Sequence, residues 1–116
     1  MEADAIAAAV RTALADAATR EVKMFGGIGF MLNGNMLVTA SRRGLLARVG
    51  KDAQAAALAR PGARVMEMRG RAMQGYVFVD PSALTKASIA SWLRLARAFV
   101  ETLPPKSKAG EKGKNT

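Results

Sequence analysis

Neither cysteine nor histidine occurs among the 116 residues, and the double absence removes several chemistries at once. Without cysteine there is no disulfide and no thiolate nucleophile. The usual zinc and iron ligands and the commonest general base are missing as well. The nine acids are Glu2, Asp4, Asp16, Glu21, Asp52, Glu67, Asp80, Glu101 and Glu111, and no two stand at the spacing of a carboxylate dyad or a calcium loop. Tyr76, Ser41 and the lysines have no evident base partner, so the expectation is no catalytic residue, no metal, no cofactor and no enzyme activity. Aromatic residues are few, and Trp92, Tyr76 and the phenylalanines fall mostly at core spacing instead of forming a base-stacking series. No apolar run approaches the ~18 residues that cross a bilayer. Glu2 and Asp4 stand where a signal peptide carries basic residues, which points to a cytoplasmic protein with no membrane role.

What is present in excess is positive charge: 18 Lys and Arg against 9 Asp and Glu, a formal net of +9. That balance favours an acidic partner, nucleic acid first and an anionic surface second. From Pro104 onward Lys106, Lys108, Lys112 and Lys114 face only Glu111, so 4 − 1 = +3 resides there and 9 − 3 = +6 in the body. The length suits one compact domain. Residues 1–105 are expected to form it, with 106–116 a disordered, lysine-rich tail.

Ile6, Val10 and Leu14 recur four apart among alanines over residues 2–18, the pattern of an amphipathic helix whose small second face lies close to a sheet. Short apolar runs separated by Asn33-Gly34-Asn35 and Arg42-Arg43-Gly44 then predict three or four strands in an antiparallel meander, because Asn-Gly tolerates the positive φ of a tight hairpin. Asp52 is a plausible N-cap for a short alanine-rich helix that Pro61-Gly62 stops. Strands about Ala63 to Met68 and Gly75 to Val79 follow as a hairpin through Arg69-Gly70-Arg71. After a turn at Asp80-Pro81-Ser82, the spacing of Ile89, Trp92, Leu93, Ala96, Phe99, Val100 and Leu103 marks a final helix that ends at Pro104-Pro105.

This order is α+β: a two-layer arrangement of a mainly antiparallel sheet with helices on one face. Met24, Phe30, Met36, Met66, Met68, Tyr76 and Phe78 offer apolar side chains for more than one surface, so the second sheet face is a place for a partner or a second copy.

Lys23 to Met31, KMFGGIGFM, has the glycine density of a phosphate loop. The dinucleotide fingerprint fails, because the third glycine position is Leu32 and an Asn-Gly hairpin follows where a helix is required. No Gly-Lys-Ser or Gly-Lys-Thr ending makes it a P-loop either. Gly26, Gly27 and Gly29 read as a bend or bulge between strands, or a close approach by the first helix, with Met24 and Met31 as pliable fillers.

Met24-Phe25-Gly26-Gly27 followed by a short strand and Asn33-Gly34-Asn35-Met36 resembles the opening signature of the TfoX N-terminal domain family, also called Sxy. Ala59-Arg60-Pro61-Gly62-Ala63, Met66-Glu67-Met68, Met73-Gln74-Gly75-Tyr76-Val77 and Val79-Asp80-Pro81 continue the resemblance in order and spacing over roughly residues 4–105. It implies a small stand-alone member with a fold similar to the secretion-chaperone class. It also implies a non-enzymatic regulatory or adaptor role connected with competence, acting with a transcription regulator of the cyclic-AMP receptor protein type or on DNA. Met24, Phe25, Gly26, Gly27 and Gly34 are then structural. The candidate contacts to nucleic acid or partner are Arg42, Arg43, Arg69, Arg71, Lys106 and Lys108. The alternative is a protein-binding or homodimerising module with no nucleic-acid role.

Overall fold

The computed structural model describes residues 1–24 and 26–106. Its elements in chain order are helix α1 (Ala3–Ala13), strands β1 (Thr19–Met24), β2 (Gly27–Leu32), β3 (Asn35–Ser41) and β4 (Gly44–Arg48), helix α2 (Lys51–Leu58), strands β5 (Ala63–Met68) and β6 (Arg71–Val79), a 3-10 turn at Pro81–Ala83, and helix α3 (Lys86–Val100). The six strands form one antiparallel sheet in the order β1-β2-β3-β4-β6-β5. All three helices pack on one of its faces, which is the two-layer α+β arrangement.

The core follows from the two-residue period of the strands. Phe30, Val38, Ala47 and Val77 stand opposite one another across four strands, and Ala40, Leu45 and Val79 form the adjacent row. All seven point to the helices and are buried. A bulge in the β2–β3 pairing beside Phe30 leaves Leu37 unpaired, so Leu37 and Val38 both enter the core. Facing them are Ile6 and Val10 of α1 and Ile89, Trp92, Leu93, Ala96 and Val100 of α3. Each fully buried aliphatic of this kind contributes roughly 1.5–3 kcal/mol.

Helix ends show where sequence periodicity loses resolution. Alanines continue to Ala18, yet α1 stops at Ala13. The Leu14 N–H is shared between the Val10 and Arg11 carbonyls, and Ala15 N–H turns to Thr12 O, so the last turn tightens and releases the chain toward β1. Asp52 is not the N-cap of α2; that position is Gly50, at φ 85°, and Asp52 lies inside the first turn. The physical cause is the Gly75 carbonyl, which accepts from both Val49 N–H and Gly50 N–H and turns the chain two residues earlier. α3 has a reciprocal cap: Ser88 N–H donates to Thr85 Oγ1 at 3.0 Å and Thr85 N–H donates to Ser88 Oγ at 2.8 Å.

Beyond α3 the chain returns to the β2–β3 turn. Lys106 N–H donates to Asn33 O at 2.7 Å, and the buried Asn35 side-chain amide donates to Pro104 O at 3.0 Å. Asn33 and Gly34 both take positive φ, the two-residue hairpin geometry. A Cβ on Gly34 would collide with the Lys106 carbonyl, so this glycine serves the turn and the docked segment together.

Candidate functional site

The sheet face away from the helices carries its own cross-strand row: Gly29 of β2, Thr39 of β3, Leu46 of β4, Phe78 of β6 and Arg64 of β5. Leu46 and Phe78 are each only 6% exposed although no helix lies on them. The cover over this row comes from the two ends of the sheet.

At the β5 end the cover is a bent hairpin. β6 starts at Arg71, four residues before the Gly75 expected from sequence, because Gly75 is a kink within the strand and not its beginning. Between the Val65–Val77 and Glu67–Ala72 pairs, β6 advances five positions while β5 advances two, and Gly75 sits in the excess at φ 86°. Gln54 of α2 holds this kink: Gly75 N–H donates to its Oε1 at 3.0 Å, and its Nε2 donates to Tyr76 O at 3.2 Å. β5 and β3 are three strands apart in the sheet, roughly 14 Å if it were flat. Bent, the hairpin brings Met66, Met68 and Arg69 around to share a cavity of about 270 Å³ with Thr39 and Leu46.

At the β1 end the cover is Met24. Gly29 has no side chain, and a Cβ there would lie 2.6 Å from the Met24 sulfur. Met24 therefore lies across the gap and brings its sulfur to 3.6 Å from the Thr39 hydroxyl, with the Met36 sulfur at 3.3 Å. Thr39 is buried beneath them. The groove thus has an apolar floor and soft thioether walls that can repack around differently shaped side chains.

Its rim is cationic. The guanidinium of Arg43 lies 5.6 Å from the centroid of Phe78 and that of Arg64 lies 5.1 Å from the same ring. Arg43 is positioned locally, since its N–H donates to the buried Ser41 Oγ at 3.2 Å. Arg69 lines the same cavity from the hairpin tip. There it takes φ 54°, a left-handed conformation that a residue with a Cβ adopts at a cost of roughly 1–2 kcal/mol. Among the described residues the ion pairs are Arg11–Glu21, Arg97–Asp16 and Arg97–Glu101. None of them involves a rim arginine, and Glu67 is the one carboxylate lining the cavity.

Of the candidate contacts named from sequence, Arg43 and Arg69 converge on this groove, although they come from turns at separate places in the chain. Arg42 and Arg71 are exposed beside them in sequence but do not line the cavity. Lys106 is held by its backbone at the β2–β3 turn, and Lys108 and Phe25 lie outside the described residues. Among the glycines of the signature, Gly26 takes φ 72° in the turn between β1 and β2, and Gly27 passes so close to the Ala40 carbonyl of β3 that a Cβ has no room. Arg64 was not singled out from sequence. The available signal was alternation in Ala63-Arg64-Val65, which puts Arg64 on the face opposite its apolar neighbours.

A second concavity, about 380 Å³, lies on the helix side between the start of α2 and Leu95, Ala98 and Phe99 of α3. Its lining is mainly apolar, with Lys51 and Asp52 at the start of α2 its charged members. Among the described residues there is no cluster of acids able to hold a metal ion, and no helix is long and apolar enough to cross a membrane.

Comparison with known proteins gives one assignment. The family model described as the TfoX N-terminal domain matches residues 11–100, which spans all six strands, α2 and α3. No curated protein and no solved structure matches the chain significantly.

Proposed function

The chain belongs to the TfoX N-terminal domain family, a family of regulatory and adaptor domains, and we propose that it acts without catalysis on a transcription complex or on DNA through the arginine-rimmed face of its sheet. One observation carries this reading: Arg43 and Arg64 stand over a single phenylalanine ring while Arg69 reaches the same groove from the bent hairpin. Two guanidiniums over one ring, with a third arginine lining the same groove, make a local excess of positive charge that an acidic partner relieves. Arginine is also the basic residue best suited to planar, two-pronged contacts with carboxylate and phosphate.

The test is affinity capture from lysate with immobilised wild-type protein and with R43Q/R64Q/R69Q, each with and without nuclease. Transcription-complex components or DNA retained by the wild type and lost by the variant support the reading. Equal retention by both proteins overturns it.

A second reading, a homodimer or protein-binding module with no nucleic-acid role, is favoured by β1. That edge strand is largely exposed on both faces and shows Val22 at 37%. Sedimentation equilibrium separates a dimer from a monomer.

A further inference from the structure

We infer that the groove is a docking site for a short extended segment of a partner protein in which an apolar side chain is flanked by carboxylates. The inference rests on the arginine-rimmed face being the contact surface, and it names the chemistry of what that face receives.

Two properties of the groove select this occupant together. The first is charge complementarity. Arg43, Arg64 and Arg69 stand on the rim outside every ion pair found among the described residues, and Glu67 is the one acid lining the cavity. Carboxylates of an incoming segment supply the missing partners. The same charge turns away the lysine-rich residues that follow Pro105, four lysines against Glu111, so the chain's own C-terminal stretch is a poor occupant.

The second property is the floor. Leu46 and Phe78 form an apolar base walled by Met66 and Met68, in a space of about 270 Å³ that suits one or two side chains and not a folded domain. Met68 remains 37% exposed on the wall, apolar area that an inserted side chain would cover. A nucleic acid would use only the rim of such a site. Base recognition on a sheet needs open aromatic faces for stacking. Here the groove's aromatic ring, Phe78, is 6% exposed and already lies beneath two guanidiniums. Phosphates would meet the arginines but leave the floor empty. A segment whose apolar side chain enters the floor while nearby carboxylates stay at the height of the rim uses both.

The walls fit the role mechanically. Methionine side chains repack around differently shaped apolar groups at little cost. The bent hairpin that carries Met66, Met68 and Arg69 is held at its kink by Gln54 and by the Val49 and Gly50 N–H groups on Gly75 O, so the groove width depends on contacts gathered at one point of the chain.

Panning a random dodecapeptide phage library against the immobilised full chain tests this directly. Expected is enrichment of sequences in which Leu, Ile, Met, Phe or Val lies beside Asp or Glu. A dye-labelled winner should lose at least about tenfold in affinity when its acids become Asn, when its apolar residue becomes Ser, or when the protein carries R43Q/R64Q, with the exposed R94Q as unaffected control. Enrichment without acids, no enrichment, or indifference to R43Q/R64Q overturns the inference. So does a labelled DNA duplex that competes fully with the peptide and binds R43Q/R64Q as weakly as the peptide does while the Ser-substituted peptide still binds. Lysate capture of transcription components by the wild type alone, with no peptide enrichment, leaves the regulatory reading standing and removes this one; the reverse result does the opposite.

Discussion

Gln54 and Gly75 are joined through the amide of the one and the backbone of the other: Gly75 N–H donates to Gln54 Oε1 at 3.0 Å, and Gln54 Nε2 reaches the next carbonyl, Tyr76 O, at 3.2 Å. Gly75 is buried and its φ of 86° lies in the left-handed region. Together with the Val49 and Gly50 N–H groups that donate to Gly75 O, this contact holds the kink from which the β5–β6 hairpin leaves the plane of the sheet.

Replacing Gly75 by alanine should destabilise the fold by about 1–2 kcal/mol, the cost of a Cβ at positive φ. Gln54→Ala should cost about 1–3 kcal/mol because it strands a buried backbone N–H. Urea unfolding measures both. In hydrogen exchange, Q54A should lose protection chiefly in β5 and in the N-terminal half of β6. Uniform loss across all six strands would contradict a local clamp.

Thr85 provides a control on the other layer. Thr85→Ala removes the side-chain half of the α3 cap, in which Ser88 N–H donates to Thr85 Oγ1 at 3.0 Å. The expected loss is about 1 kcal/mol by chemical denaturation. Peptide or nucleic-acid affinity of the folded protein should not change, since α3 lies on the far side of the sheet.

The edge strand β1 is tied to α1 by a two-pronged pair: Arg11 Nε to Glu21 Oε2 at 2.7 Å and Arg11 Nη2 to Glu21 Oε1 at 2.8 Å. The hydrogen bonds from Arg11 hold the Glu21 carboxyl below the usual carboxylate range. A depressed acid contributes stability that is fully present above its ordinary pKa and disappears as pH falls through its folded value. Both side chains are well exposed, so the contribution is small and salt-sensitive. The stability difference between wild type and Glu21→Gln should therefore be present at neutral pH and vanish in acid. A difference that grew on acidification would contradict the assignment.

Gly34 carries a sharper prediction. At φ 81°, and with the Lys106 carbonyl where a Cβ would stand, Gly34→Val should distort the β2–β3 turn and release the segment from Pro104 to Lys106. Limited proteolysis after Lys106 should accelerate well beyond any global loss of stability. Unchanged cleavage at that lysine would show that the docking is not coupled to the turn.

Much of the fold was legible because its signals are local. Asn33-Gly34 marked a hairpin, and the spacing of Ile89, Trp92, Leu93, Ala96 and Val100 marked the buried stripe of α3. Gly75 misled because a glycine beside an apolar run looks like a strand boundary. What makes it a kink is Gln54, 21 residues earlier, a contact no local pattern announces. The groove is harder still to read. Arg43 and Arg69 were visible as turn residues, but their convergence with Arg64 depends on β6 inserting between β4 and β5 and on the hairpin bending back. Phe78 was among the apolar candidates for a second surface, but Leu46 carried no distinguishing signal, since burial by a curled hairpin and burial by a helix leave the same apolar imprint in sequence.

On the proposed function, the arginine-rimmed face is where this domain meets its partner. The most direct measurement is the affinity of R43Q/R64Q, relative to wild type and to R94Q, for whichever component the wild type captures from lysate, read as a function of salt. R43Q/R64Q should lose about tenfold or more in affinity and show a shallower salt dependence, with R94Q unchanged. Wild-type affinity and an unaltered salt slope in R43Q/R64Q would contradict it.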